Sequence, residues 1–336
     1  MLKKSDIVRH ILADRYDLLP KHSSVKAYAP SNIALCKYWG KRDVELNLPV
    51  TSSFSISLGD FGSSVELAVN ANAEDSVCVN DELLTQDSSF SKRVQNFLDL
   101  LRGKEKHHFS LNIKTNIPVA AGLASSACGY ASLVRALNLL FELHLTDREL
   151  SILARLGSGS ASRSLWQGFV EWHKGESVDG MDSYAEPLQE TWPDLCIGLL
   201  ILSDKEKKVS SRDAMQQTVE TSPFYSAWPS LVAKDLSMIK KAISEKDFLL
   251  LGKTAESNAL AMHATMLSAR PSLSYALPET IEAMQKIWDL RQAGLNVFFT
   301  QDAGPNLKLL FLANDIPPIQ SHFTDIKIIQ PFKSND

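Results

Sequence analysis

Pro118-Val119-Ala120-Ala121-Gly122-Leu123-Ala124-Ser125-Ser126-Ala127 is a run of small residues set directly ahead of a long helical pattern. Gly122 lets the backbone come close to an anion, and Ser125 and Ser126 bring hydroxyl donors. The first-turn N–H groups of the helix that follows are unpaired donors at the positive end of its dipole. On its own residues the stretch is either a phosphate-cradling loop or an ordinary strand-to-helix turn. Working outward from it, the apolar pattern changes character. Strand-like runs precede it at 24–29, 53–58, 63–69, 76–79 and 109–115, several of them alternating. Helix formers with apolar residues three and four apart run over 124–143, and Thr146-Asp147-Arg148-Glu149 is a capping box that opens another helix. Residues 168–172 and 196–202 read as further strands. Beyond about residue 210 the chain is mainly helical (232–243, 247–262, 278–293) and closes with strand-like runs at 295–300, 307–312 and 326–329. A soft boundary on Glu186-Pro187 and Trp192-Pro193 divides an α+β half, residues 1–190, from a helix-rich half, 191–336. At the N-terminus, residues 5–18 put Ile7, Val8, Ile11 and Leu12 on one helical face with Ser5 placed to cap it, which predicts an extra surface helix within 1–22.

A chain of 336 residues is long enough for a sizeable core and two lobes. The formal net charge of −4 argues against a nucleic-acid partner, so any anionic ligand must meet local positive charge. Cys36, Cys78, Cys128 and Cys196 lie far apart with no C-x-x-C pair, which fits reduced thiols in a cytoplasmic protein better than disulfides or a zinc site. No segment approaches the ~20 apolar residues of a membrane span, and the run Cys196–Leu202 is read as a buried strand. Lys3 and Lys4 are followed by Asp6, Arg9, Asp14 and Arg15 before any hydrophobic stretch forms, so neither a secretory signal nor a membrane partner is expected. The histidines show no metal-ligand spacing, His107 and His108 being adjacent and His144, His173 and His263 isolated, and no Ser-His-Asp arrangement is suggested.

Three further segments mix charge, glycine and small polar residues. They are Ala29-Pro30-Ser31-Asn32-Ile33-Ala34-Leu35-Cys36-Lys37-Tyr38-Trp39-Gly40-Lys41-Arg42-Asp43, Gly157-Ser158-Gly159-Ser160-Ala161-Ser162-Arg163-Ser164 and Gln301-Asp302-Ala303-Gly304-Pro305-Asn306. In the first, Lys37 and Lys41 are point charges, Tyr38 a phenol donor and Gly40 a point of close approach, a set that fits a diphosphate. Trp39 and the apolar Ile33, Ala34 and Leu35 argue against a fully exposed loop. In the second, Ser158, Gly159 and Ser160 suit an oxygen-rich ligand, and the planar fork of Arg163 can grip a carboxylate by two parallel hydrogen bonds. In the third, Asp302 follows the apolar run Val297–Thr300 and precedes Gly304-Pro305, putting a carboxylate on a tight turn at a strand end. Alone, that pattern is either a catalytic base or an Asx turn. Lys207-Lys208-Val209-Ser210-Ser211-Arg212 is a second basic and hydroxyl cluster, or else a solvated face.

With the loop at 118–127, these segments resemble the small-molecule kinase superfamily that acts on galactose, homoserine, mevalonate and phosphomevalonate. Within it the Lys-Tyr-Trp-Gly-Lys-Arg-Asp, Gly-Ser-Gly-Ser-Ala-Ser-Arg-Ser and Asp-Ala-Gly-Pro-Asn runs are similar to those of the diphosphomevalonate decarboxylases, over roughly residues 25 to 330. The resemblance implies an α+β, two-lobed small-molecule-kinase fold. Its N-terminal lobe would be ribosomal-S5-like and bind ATP phosphates, its C-terminal lobe helix-rich and ferredoxin-like, and the active site would lie in the cleft between them. It implies that ATP phosphorylates the tertiary 3-hydroxyl of mevalonate 5-diphosphate, that phosphate then leaves, and that carboxylate loss yields isopentenyl diphosphate, ADP, phosphate and CO2. Paralogous readings are a mevalonate 5-phosphate decarboxylase and a 3-kinase without decarboxylation; a non-catalytic nucleotide- or metabolite-binding module is the alternative from another class.

By the same resemblance Asp302 abstracts or orients the hydroxyl proton, and Arg163 holds the substrate carboxylate and keeps Asp302 ionised. Lys37 lies near the reacting centre, and Ser126 belongs to the catalytic set. Tyr38, Trp39, Gly40, Lys41, Ser158, Gly159, Ser160, Ser211, Arg212 and Asn32 bind substrate, and Gly122, Leu123, Ala124, Ser125 and Ser126 hold the ATP phosphates. Mg2+ is expected with ATP rather than on a protein metal motif, and the partners expected are the small-molecule substrate and a second copy in a homodimer. Arg93 stands as a further diphosphate ligand in a stretch too generic to align, and His263 falls in a family helix read as structural. The chain departs from the pattern at Ser162, where many members have Cys, and at Asp213-Ala214-Met215, where a Gly-Met pair is common.

Overall fold

The structure, a computed structural model, describes residues 2–70, 72, 74–103, 107–117, 125–205 and 208–333, with Ser125 by its backbone alone. Gly122, Leu123 and Ala124, with the rest of 118–124, lie outside the described residues, as does Lys207.

The chain opens with α1 (Lys4–Leu12). Ile7, Val8, Ile11 and Leu12 are buried in the main core, so the expected surface helix is in fact docked by its apolar face. Ser5 is not its cap. Lys3 holds the N-cap position, and the Asp6 carboxylate accepts from the Lys3 backbone N–H at 2.9 Å. The helix stops short of residue 18 because Ala13 turns to φ 47, after which 13–17 form a 3-10 turn.

The first lobe is a seven-stranded sheet built on two long strands, β1 (Ser24–Cys36) and β4 (Ser53–Asn70), which pair antiparallel from Ser24↔Ala68 to Cys36↔Phe54. Between them, β2 (Lys41–Asp43) and β3 (Leu48–Pro49) make a small hairpin. The two runs at 53–58 and 63–69 are one strand. It bends at Gly62, where an added Cβ would lie 2.2 Å from the Ala29 carbonyl oxygen, opposite a register shift at Pro30, a residue with no N–H to give a ladder. Strands β5 (Ser76–Val79), β6 (Glu82–Leu83), β7 (His108–Thr115), β8 (Phe169–Trp172) and β9 (Ala185–Pro187) complete the order β6-β5-β7-β4-β8-β9, with β1 on the other edge of β4.

Helices α2 (Ser89–Asp99), α3 (Ser125–Leu140) and α4 (Asp147–Gly157) belong to this lobe, α3 lying on β1 and β4. Helix α4 starts at the expected capping box, the Thr146 hydroxyl accepting from the Glu149 N–H while the Glu149 carboxylate accepts from the Thr146 N–H. Helix α2 was not expected. Its Ser, Lys, Arg and Gln residues hide a face on which only Val94, Phe97 and Leu98 are apolar and buried.

The second lobe is a four-stranded antiparallel sheet of β10 (Leu195–Leu200), β11 (Phe298–Gln301), β12 (Leu307–Leu312) and β13 (Lys327–Ile329), in the order β11-β12-β10-β13. With it go α5 (Ser211–Thr221), α6 (Trp228–Glu245), α7 (Phe248–Leu267), α8 (Pro278–Gln292) and α9 (Ile316–His322). Helix α7 touches both β11 and β1, so it spans the seam between the two sheets. No helix among the described residues is long and apolar enough to cross a membrane.

Candidate active site

The C-terminal end of β1 and the C-terminal end of β11 meet in a cleft of about 650 Å3 between the lobes. Lys37 leaves β1 and Asp302 follows β11, and their side chains pair with Lys37 Nζ 2.7 Å from Asp302 Oδ1. The second oxygen, Oδ2, faces Lys308 Nζ of β12 at 3.2 Å. Burial alone would push the Asp302 carboxyl upward, but the two ammoniums outweigh it and hold the group below the usual carboxylate range. The turn is closed by the Gly304 N–H donating to the Asp302 backbone carbonyl at 2.7 Å, which leaves the Asp302 side chain to the cleft rather than to an Asx turn.

Lys37 is held from three sides. Its ammonium donates to the Ala34 carbonyl at 2.9 Å, and its backbone N–H donates to Asn258 Oδ1 at 2.7 Å. Asn258 in turn donates to Asp235 Oδ2 at 2.8 Å. This relay through α7 and α6 fixes where β1 ends. Arg163 stands opposite, 3% exposed, at the end of the 3-10 turn 159–163. Its guanidinium donates to the Ser53 hydroxyl and to Asn32 Oδ1 at 3.5 Å and lies 5.8 Å from the Trp172 ring centre. Burial lowers its pKa to about 10, which leaves it a cation at neutral pH. The expectation that Arg163 is what keeps Asp302 ionised is therefore corrected: the contacts on that carboxylate come from Lys37 and Lys308, and Arg163 acts on it only through space.

Tyr38, Trp39, Lys41, Asn32, Ser158, Gly159, Ser160, Ser211, Arg212 and Ser126 all line the same cavity. Burial pushes the Tyr38 phenol far up, so it stays a neutral O–H donor; its ring packs edge-on against Trp172 at 4.8 Å. Gly159 is required there, because a Cβ would come within 2.9 Å of the Tyr38 ring. Ser210 caps α5 by accepting from the Asp213 N–H, which points the helix's first turn, with Ser211 and Arg212, into the cleft. Lys41 donates to Asn47 Oδ1 at 2.6 Å. Burial first, then the charges of Arg212 and Lys4, bring its pKa down to about 8.

Gly40 departs from its expected role. It is absent from the cavity wall, and what approaches it is protein: at φ +115 an added Cβ would sit 1.7 Å from the Tyr225 hydroxyl, which donates to the Trp39 carbonyl at 3.0 Å. Gly40→Ala is accordingly expected to lower stability by about 2 kcal/mol in thermal melts. Adding Tyr225→Phe should recover part of that loss by removing the obstructing oxygen. No recovery would leave backbone strain as the sole cause.

The sequence reading missed Lys308, Asn258 and Asn47; Arg93 of α2, read there as a further diphosphate ligand in a stretch too generic to align, reaches the cavity wall. Lys308 had a readable signal, a single charge inside the apolar strand Leu307-Lys308-Leu309-Leu310, since a buried lysine needs a partner. Among the described residues no group of three or more His, Cys, Asp or Glu side chains could hold a metal ion.

Residues 29–185 match the family described as the diphosphomevalonate decarboxylase-like N-terminal domain, and residues 197–333 match the mevalonate 5-diphosphate decarboxylase C-terminal domain. The chain is 38% identical over 310 residues to diphosphomevalonate decarboxylase mvd1 of Aspergillus fumigatus, covering 85% of this chain and 76% of that one. It is 38% identical over 309 residues to the diphosphomevalonate decarboxylase of Saccharomyces cerevisiae, with 85% and 77% covered. Among solved structures it is similar to the mevalonate diphosphate decarboxylase of Enterococcus faecalis (TM-score 0.85, 38% identity, 92% of this chain and 97% of that one). It is also similar to a structure described as MDDEF in complex with MVAPP, AMPPCP and magnesium (TM-score 0.86, 39% identity, 92% and 97%).

Proposed function

The chain belongs to the diphosphomevalonate decarboxylase family, and from that premise we propose how its cleft carries out ATP-dependent decarboxylation of mevalonate 5-diphosphate. The observation that carries the reading is the distribution of charge in a protein of net charge −4. At the inner end Lys37, Lys308 and Arg163 surround one carboxylate, Asp302, leaving an excess of two positive charges. At the outer end Lys41, Arg212 and Arg93 line the wall, and among the described residues none of them is ion-paired. A substrate with a carboxylate at one end and a diphosphate at the other fits that polarity, and two polyanions can share the site because cations and helix-end donors meet both.

In this reading Arg163 grips the substrate carboxylate and Tyr38, Lys41, Ser211 and Arg212 take the diphosphate. Asp302 accepts a hydrogen bond from the 3-hydroxyl. A carboxylate held below its usual range is a weak base, so Asp302 orients the hydroxyl first and takes its proton late, as the O–P bond forms in a loose transition state. Lys37 and Lys308 keep that carboxylate from turning away. When phosphate departs, the neighbouring carboxylate loses CO2 and isopentenyl diphosphate remains. Ser126, in the first turn of α3 and on the cavity wall, is placed for the nucleotide's phosphates, where Mg2+ carried by ATP supplies charge neutralisation.

ADP and CO2 release with ATP, Mg2+ and, separately, mevalonate, its 5-phosphate and its 5-diphosphate tests the reading. Equal release of both products with the 5-diphosphate alone is expected; ADP without CO2 would make the chain a kinase. A pH dependence follows from Lys41. Its folded pKa of about 8 lies well below the ordinary lysine value, so free enzyme loses this charge as pH rises through 8, whereas the bound diphosphate favours the charged form. KM for the 5-diphosphate should climb above pH 8 and the climb should flatten in Lys41→Arg.

The same proposal sets the lobe boundary near residue 190, between the sheet that ends at Pro187 and the one that begins at Leu195, with residues 1–22 as an extra element. It takes the enzyme as a cytoplasmic homodimer: the compartment suits four cysteines outside any disulfide, the assembly rests on the family resemblance, and sedimentation of the purified chain tests the latter.

A further inference from the structure

The match to the family's N-terminal domain starts at residue 29, yet the segment before it is built into this protein. Four apolar side chains of α1 enter the main core. Arg15 clamps the end of the segment, donating to the Ile11 carbonyl at 2.6 Å, the Leu143 carbonyl at 2.9 Å and Glu149 Oε1 at 2.9 Å. At the other end the Lys4 backbone N–H donates to Glu45 Oε1 at 3.2 Å. Glu45 lies on the turn between β2 and β3, the hairpin that carries Lys41 and Asn47 on the cavity wall. The start of α1 is thus fastened to the rim of the site, and a carboxylate at a helix N-terminus is a favourable anchor.

We propose that Lys4, supplied by this extra helix, adds its ammonium to Lys41 and Arg212 as a further ligand for the substrate's diphosphate. Lys4 is half-buried, and among the described residues no carboxylate is ion-paired with it, Glu45 being engaged by its backbone N–H. The cations press on one another. Burial and the charge of Arg212 lower the pKa of Lys4 against the pull of Glu45, and Lys4 in turn helps lower that of Lys41. Mutual repulsion among partly buried cations is a cost in the free protein that an anion relieves, and a terminal phosphate, the densest negative charge on the substrate, relieves it most. The inference rests on the assignment of the Lys41–Arg212 end of the cleft to the diphosphate.

The test compares wild type with Lys4→Ala, Lys4→Arg and Lys4→Glu in steady-state turnover, with inorganic pyrophosphate as competing anion and as a calorimetric ligand. Lys4→Ala should raise KM for the 5-diphosphate and weaken pyrophosphate binding roughly three- to tenfold, as befits one partly exposed charge-assisted contact. Lys4→Glu should weaken both further and Lys4→Arg restore them, with kcat, KM for ATP and the thermal midpoint within error of wild type. Pyrophosphate affinity unchanged in Lys4→Ala, an equal loss for ATP, or an arginine variant no better than alanine would overturn the proposal. Because pyrophosphate binding needs no turnover, a wild-type chain that binds it through Lys4 yet releases no CO2 would sink the catalytic reading and leave Lys4 standing.

Discussion

Asp302→Asn lowers kcat by about 10²–10⁴, the range spanned by loss of a positioned general base, while KM for ATP moves little. Asparagine keeps the shape and one acceptor oxygen but offers no charge and no site for the proton. The variant also removes the carboxylate that pairs, among the described residues, with two ammoniums each only 2% exposed, so a stability loss of up to about 3–5 kcal/mol accompanies it and must be separated from the chemistry. Lys308→Met makes that separation. It leaves the 2.7 Å Lys37–Asp302 pair intact, removes one buried charge at similar volume, and is expected to fold. With one cation gone the Asp302 carboxyl rises toward its ordinary value, so the acid limb of kcat/KM moves to higher pH while the rate at neutral pH falls far less than in Asp302→Asn. In wild type the depressed carboxyl contributes a stability present above about pH 4 and lost only as pH falls through its folded pKa. The carboxyl's own titration therefore adds no slope to the stability difference between wild type and Asp302→Asn above about pH 5. Any slope there comes from Lys37, whose pKa burial lowers and Asp302 holds up, so the variant should lose the Lys37 charge at lower pH than wild type. A well-folded Asp302→Asn enzyme with full turnover would remove Asp302 from the base's role.

What could be read beforehand, and what could not, follows from the range of the physics involved. Lys37, Arg163 and Asp302 stood out because each sits in a local pattern with chemical meaning, a Lys-Tyr-Trp-Gly-Lys cluster, an arginine ending a Ser/Gly run and an aspartate on a strand-end turn, while their places at the reacting centre came from the family resemblance. Strands and helices with strong periodicity were legible for the same reason. Asn258 and Asp235 were not, since they matter to Lys37 only through contacts made 221 and 23 residues away along the chain. The helix that carries Arg93 was hidden because its apolar face is three residues wide, so Arg93 could be named but not aligned. Gly40 was misread because a glycine says that something comes close, and only the fold says that the visitor is Tyr225. The net charge of −4 said least of all: the catalytic polarity is a local rearrangement of six cations that a sum over 336 residues conceals.

The same cleft predicts an acid weakness that does not come from Asp302. His263 of α7 is 8% exposed, and its ring meets the backbone of Gln301 and Asp302 with Lys37 close by. Burial and then the Lys37 charge lower its pKa to about 4, and the two backbone contacts recover only part of the shift. In the unfolded chain the same imidazole titrates near 6.5, so between pH 6.5 and 4 the unfolded state binds the extra proton and the native state refuses it. Stability is fully present above 6.5 and is lost by about 3 kcal/mol on the way down to pH 4. Asp235, whose carboxyl is pushed up by burial, works in the opposite sense and gains native stability as it takes its proton, so the net slope is shallowest at the acid end. Because the ring backs the catalytic turn, protonating it would set a new cation beside Lys37 and press Asp302 out of line, and activity should fall with stability rather than before it. Urea unfolding at pH 7.5, 5.5 and 4.5 decides the point. His263→Gln should be less stable than wild type at pH 7.5 and lose little more on acidification, whereas parallel loss in the two proteins would assign the acid weakness to another group.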